Sequence, residues 1–179
     1  MQPAITRLTS TEFMEIEHDY PFIRELLDGE TILTGSPIPK HQHITFSAAT
    51  TVKALIPNGR VLIAPMSLHL TDIDVLQPDV FWVSENGSCI QRATDYYGAP
   101  ALIIEVLSPS TAKRDRGYKF RLYEKVGVQE YWIVDPIQEL IEIWSLVDGR
   151  YSQIGIFDST ETLEQSVIGK PVSFATLFE

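Results

Sequence analysis

A mixed α/β fold, with helices packed on a central mixed β-sheet and additional β-hairpins, is what this sequence predicts, as one domain over residues 1–179. Three observations lead there. Two stretches with helical spacing are separated and followed by short runs rich in Val, Ile, Phe, Trp and Tyr, which is the alternation of a sheet covered by helices. Asp28-Gly29 and Asp148-Gly149 each stand between apolar runs, the strongest short signal for a hairpin. A hydrophobic content of 44% over 179 residues is enough for one ordinary core.

Element by element, Thr11 is placed to cap a short helix through Glu12 to Glu17. "IRELL" and "ETILTG" form a hairpin around Asp28-Gly29. From His41 to Ile56 the residues Ile44, Ala48, Thr51, Val52 and Leu55 fall near helical spacing, and "PNG" ends the helix. "RVLIAPMSLHL", broken or bulged at Pro65, and "VLQPDVFWV" read as strands, followed by "ALIIEVL". "SPST" offers N-caps for a helix from about Ala112 to Val126, stopped by Gly127. "QEYWIVD" is another strand. "ELIEIWSL" and "RYSQIGIF" make a second hairpin, and the tail adds a short strand and a turn of helix.

The formal net charge of -10 argues against a protein that coats nucleic acid by bulk electrostatics. Yet six of the 14 basic residues, Lys113, Arg114, Arg116, Lys119, Arg121 and Lys125, cluster on the third helix with only Asp115 and Glu124 among them. The single cysteine, Cys89, excludes an intrachain disulfide and a thiolate zinc cluster, and fits a reducing cytoplasm. The start, MQPAITRLTS, lacks the pattern of an export signal, and there is no apolar run long enough to span a membrane. A cytoplasmic protein is expected.

One residue is out of place. Along "ALIIEVL" Ala101, Ile103, Glu105 and Leu107 share one face and Leu102, Ile104 and Val106 the other, so Glu105 is a carboxylate on an otherwise apolar strand. Buried without compensation, it would lose its charge. It is either a surface or structural ion-pair residue at the strand's end, or a functional acid that meets a basic side chain or a metal ion. Two neighbours favour function. Asp79 follows Pro78, which has no amide to donate, so the aspartate opens its strand; on an adjacent strand it can converge with Glu105, and paired oxygen ligands suit Mg²⁺. Lys119 continues the stripe Leu122, Tyr123 and Val126, so it points at the sheet, with Asp115 four residues earlier as an ion-pair partner; a snorkelling lysine is the alternative. Two acids and a lysine suit phosphodiester hydrolysis, and Arg114 and Arg116 lie where a neighbouring phosphate can be contacted.

The segments "RELLDGETI", "PKHQHI", "QPDVFWV" and "ALIIEVLSPSTAKRDRGYKFRLYEKVGVQEYWIVDP" together resemble the Uma family of restriction endonucleases, within the PD-(D/E)XK nuclease superfamily. The resemblance extends from about Thr11 to Phe178 and is densest from Glu105 to Pro136. It implies a restriction-endonuclease-like core and DNA cleavage dependent on Mg²⁺ or Mn²⁺. By motif, Asp79 and Glu105 are the metal-binding acids, with the carbonyl of Val106 a further ligand. The superfamily's lysine is expected two residues beyond the strand acid, where this chain has Leu107. Lys119 is the replacement suggested by the helical stripe, with Lys113 the second choice. Glu30, after the Asp-Gly turn, and His41, at the helix start, are auxiliary candidates, although a histidine there also serves as a cap or surface residue. A homodimer is expected by analogy, since duplex cutting needs two centres. The alternative is a weakened or lapsed nuclease fold that binds nucleic acid or a protein partner; a small-molecule metallohydrolase is a third option that lacks a histidine-rich ligand set.

Overall fold

A computed structural model of the chain describes residues 7–16, 23–56 and 58–179. Helix α1 (Ser10–Glu15) is capped by Thr9, not Thr11. The reason is the capping box: Thr9 Oγ1 accepts the Glu12 amide, and Glu12 returns a carboxylate to the Thr9 amide at 2.8 Å, whereas three residues after Thr11 stands Met14, which has no acceptor to return. The expected helix end at Glu17 lies outside the described residues. Strands β1 (Ile23–Leu27) and β2 (Glu30–Thr34) pair antiparallel with Leu27 opposite Glu30. Asp28 and Gly29 carry φ of 50° and 76°, the left-handed pair that a two-residue turn matched to strand twist requires.

Helix α2 (Pro39–Leu55) begins two residues before the expected start because Pro39, which has no amide to leave unsatisfied, takes the first helical position. Each of the two long strand expectations divides in two. "RVLIAPMSLHL" becomes β3 (Arg60–Ile63) and β4 (Leu68–Thr71), and "VLQPDVFWV" becomes β5 (Asp74–Leu76) and β6 (Val80–Val83), with the chain leaving one sheet for the other at Gln77-Pro78-Asp79. Strands β7 (Ile90–Gln91) and β8 (Tyr96–Tyr97) are too short to leave a periodic signature. After β9 (Leu102–Val106) comes helix α3, residues 112–126, formed by Ala112–Arg114, a π-turn over Asp115–Lys119 and Phe120–Val126, and closed by Gly127 at φ 92°. The rest is β10 (Glu130–Asp135), the hairpin β11 (Leu140–Val147) and β12 (Arg150–Phe157), and the short pair β13 (Thr162–Leu163) and β14 (Val172–Ser173).

The central sheet has the order β12-β11-β10-β9-β6-β3; β9 and β10 run parallel and the other neighbours antiparallel, so the sheet is mixed as expected. A second sheet has the order β2-β1-β5-β4-β8-β7. On one face of the central sheet Leu102, Ile104 and Val106 pack with Ile44, Ala48, Ala49 and Val52 of α2. On the other, Ile103 and Leu107 pack with Leu122 and Tyr123 of α3 and with Leu68, Leu70 and Leu76 of the second sheet. Full burial of each such aliphatic side chain contributes about 1.5–3 kcal/mol. The period-two alternation of β9 therefore directs Glu105, with Ile103 and Leu107, toward α3.

Candidate active site

Two strands and one helix assemble the acidic cluster's core. Val80 pairs with Ile104 across β6 and β9, so Asp79, one residue before β6, stands opposite Glu105. Asp79 Oδ2 accepts the Val106 amide at 2.8 Å, which ties the two carboxylate-bearing segments together. From α3, Lys119 Nζ reaches Glu105 Oε1 at 3.0 Å and lies 3.5 Å from Asp115 Oδ1. The π-turn between Asp115 and Lys119 widens the helix at this point, and both side chains face the sheet, buried. Tyr123 donates its hydroxyl to the same Glu105 Oε1 at 2.7 Å, and Tyr131 donates to the Asp115 carbonyl at 3.2 Å.

Leu107, where the superfamily pattern expects its lysine, is packed in the apolar core between β9 and α3. An ammonium is nevertheless delivered to that face of the strand by the helix above it.

The electrostatics follow from burial. Lys119 and Glu105 are each 4% exposed. Desolvation disfavours the ammonium, but Glu105, Glu25 and Asp115 outweigh it and hold the lysine pKa well above its ordinary value. Burial pushes the Glu105 carboxyl up to about 8; Lys119 pulls it down, while the fields of Asp115, Asp79 and Glu25 add to the rise. Asp115 is raised by burial as well, against Lys119 and the Thr111 hydroxyl. Tyr123 is raised by burial and by Glu105, so it keeps its proton and remains a donor.

Of the auxiliary candidates, His41 joins the site. Its Nε2 lies 3.3 Å from Asp79 Oδ2, and its ring also bonds to the backbone of Val106. Burial opposes the imidazolium, but Asp79, the Val106 bond and the field of Asp115 together raise its pKa. Glu30 opens β2 as an exposed residue and makes no hydrogen bond to the cluster. Lys113 is exposed on α3. Arg114 turns toward Thr34 Oγ1 of β2 at 3.4 Å, and Arg116 pairs with Glu142 of β11. The acid that the sequence reading missed is Glu25 of β1, whose Oε1 is 3.1 Å from Lys119 Nζ. Its signal was the one that revealed Glu105: a glutamate inside a short apolar strand, "IRELL", with Leu26 and Leu27 both buried.

The donors suit a hard divalent cation. Glu105 Oε2 and Asp79 Oδ1 have no hydrogen-bond partner among the described residues, and the Val106 backbone borders both side chains. No three His, Cys, Asp or Glu side chains among the described residues form a ready-made cage.

The chain is similar in sequence and in fold to known proteins. The sequence is 27% identical over 173 residues to an uncharacterized protein of Synechocystis sp., spanning 94% of this chain and 89% of that one. A second uncharacterized protein of Synechocystis sp. is 26% identical over 147 residues, 80% of this chain and 83% of its own. A crystal structure from Anabaena variabilis, described as a "putative nuclease belonging to DUF820", superposes with a TM-score of 0.76 at 20% identity, covering 96% of this chain and 97% of that one. The two chains share one fold. The sequence profile of Uma2, described as "Putative restriction endonuclease", matches residues 11–174. With nearly the whole length matched in sequence and in fold, the chain belongs to the Uma2 family.

Proposed function

We propose that this protein is a divalent-metal-dependent endonuclease that hydrolyses phosphodiester bonds in DNA. The observation that carries the reading is the Glu105 carboxylate, buried opposite Asp79 and held by the Lys119 ammonium at 3.0 Å and the Tyr123 hydroxyl at 2.7 Å. Asp79, Glu105 and the carbonyl of Val106 are the ligands for Mg²⁺ or Mn²⁺. Such an ion, when bound, neutralises phosphate charge and lowers the pKa of water at the reacting centre. Lys119 offers donors to the attacking water and to the charge that develops on the phosphoryl oxygens, in a site where burial strengthens both interactions. Tyr123 and Lys119 both hold Glu105 Oε1, which leaves Oε2 for the ion. Arg114, Arg116 and Lys113 make α3 the basic edge of an otherwise acidic molecule, and Arg116 exchanges Glu142 for a phosphate when DNA arrives. A homodimer, by analogy with two-fold enzymes cutting two strands, supplies the second centre and is checked by light scattering.

Purified protein is expected to nick or linearise plasmid DNA with Mg²⁺ or Mn²⁺, and Glu105→Ala to abolish it. Equal cleavage by wild type and variant would remove the assignment. Metal-independent DNA affinity, unchanged in an Asp79→Ala, Glu105→Ala double variant and without cleavage, would instead identify a lapsed nuclease that serves as a binding module.

A further inference from the structure

A lysine on a helix is carried by a different element from the strand acid, whereas a lysine two residues along the strand would share its backbone. Its stem has four rotatable bonds, so the ammonium is only as well placed as its partners make it. Lys119 has three acidic partners, and they are not equivalent. Asp115 lies one turn earlier on α3 and moves with the helix, so it cannot fix the helix against the sheet. Glu105 is the strand acid assigned above as a cation ligand, so the charge of its carboxylate is shared between the cation at its free oxygen and the lysine at Oε1. Glu25 comes from β1 of the second sheet, is 3% exposed, and places Oε1 at 3.1 Å from Lys119 Nζ. That oxygen does a second thing: it accepts the backbone amide of Gln77 at 3.0 Å, two residues before Asp79. One atom thus spans the helix that carries the lysine and the crossing segment that leads into the first catalytic acid.

We infer that Glu25 is a positioning residue that holds the Lys119 ammonium over the site and couples it to the segment bearing Asp79, an inference resting on the endonuclease reading above. Glutamine at position 25 can still accept the Gln77 amide but carries no charge for the ammonium. Glu25→Gln therefore separates the two roles without opening the second sheet. Loss of such a supporting partner lowers activity by about 10- to 100-fold.

The experiment compares wild type, Glu25→Gln and Glu105→Ala in two measurements. The first is the slowly exchanging ¹H–¹⁵N correlation that a buried, hydrogen-bonded lysine ammonium gives and a solvated one does not, recorded beside the backbone amide spectrum. The second is plasmid cleavage with Mn²⁺, resolved into kcat and KM. In Glu25→Gln the ammonium correlation is expected to disappear while the amide spectrum persists, with kcat about 10- to 100-fold lower and KM little changed. Ammonium signal and kcat both at wild-type level in Glu25→Gln, with Glu105→Ala inactive, would overturn the positioning role and leave the nuclease reading intact. If Glu105→Ala cleaves like wild type, the nuclease reading falls, and the ammonium correlation still decides whether Glu25 holds Lys119. Should Glu25→Gln unfold, Glu25→Asp replaces it, since it keeps the charge but withdraws it by one methylene. A weakened ammonium correlation and reduced kcat support the role there, and wild-type values for both overturn it.

Discussion

Replacing Lys119 by Met keeps an unbranched side chain one atom shorter and removes the charge from beside three acidic side chains. Lys119 is 4% exposed and its ammonium lies 3.0 Å from Glu105, 3.1 Å from Glu25 and 3.5 Å from Asp115, so its removal leaves a cluster of buried acids without a cation. Breaking a buried pair in this way costs about 3–5 kcal/mol. The cost should depend on pH. The folded Glu105 carboxyl is raised to about 8, so native protein holds a proton that the unfolded chain has released. That stabilisation is complete below the unfolded carboxyl pKa and is lost as pH rises through about 8. In wild type the decline then stops, because Glu105 ionises beside Lys119, whose own raised pKa keeps it charged throughout this range. Without the lysine the Glu105 pKa moves higher still, and the decline continues at about 1.4 kcal/mol per pH unit for one proton. Urea titrations from pH 6 to 9.5, followed by the fluorescence of buried Trp82 and Trp132, measure this. With an m value of about 2 kcal/mol/M, the variant's midpoint should fall by about 2 M near neutrality, and the gap should widen above pH 8. Equal midpoints, or a gap that narrows as pH rises, would refute the cluster electrostatics.

Three other expectations are independent of catalysis. Tyr123→Phe removes the 2.7 Å bond to Glu105 Oε1 and should lower stability by about 1.5–3 kcal/mol in the same urea assay at pH 9.5, where the carboxyl is ionised; an unchanged midpoint would show that the hydroxyl contributes nothing. Thr9→Ala breaks the capping box of α1 and should cost about 1 kcal/mol, read as a lower Tm, whereas Thr11→Ala should leave Tm near wild type. Cys89 is buried, and burial pushes its thiol up to about 11, so Ellman's reagent at pH 8 should react slowly with native protein and fully in denaturant; immediate stoichiometric reaction of the native state would contradict that burial.

Local signals carried much of the fold. The Asp-Gly pairs fixed both long hairpins because a two-residue turn needs left-handed residues at those two positions, and the structure has them at 28–29 and 148–149. Alternation in "ALIIEVL" put Glu105 on the face of Ile103 and Leu107, and the helical stripe turned Lys119 toward that same face. The splitting of "VLQPDVFWV" was less legible. Pro78 marks a break, but a local pattern does not say that the chain changes sheets there. Glu25 was hidden for a related reason: a glutamate in a hairpin strand looks like a surface residue until a second layer is seen to cover it.

The sequence by itself determined most element types, the hairpin turns, the place of Glu105 on its strand and the orientation of the lysine, because each depends on residues a few positions apart. Only the tertiary structure decided which strands are neighbours, that Asp79 stands opposite Glu105, and that Glu25 of another sheet shares Lys119 with Glu105 and Asp115. Apart from the i,i+4 pair of Lys119 and Asp115, those contacts join residues 14 to 94 positions apart, and chain packing, not local periodicity, brings them together.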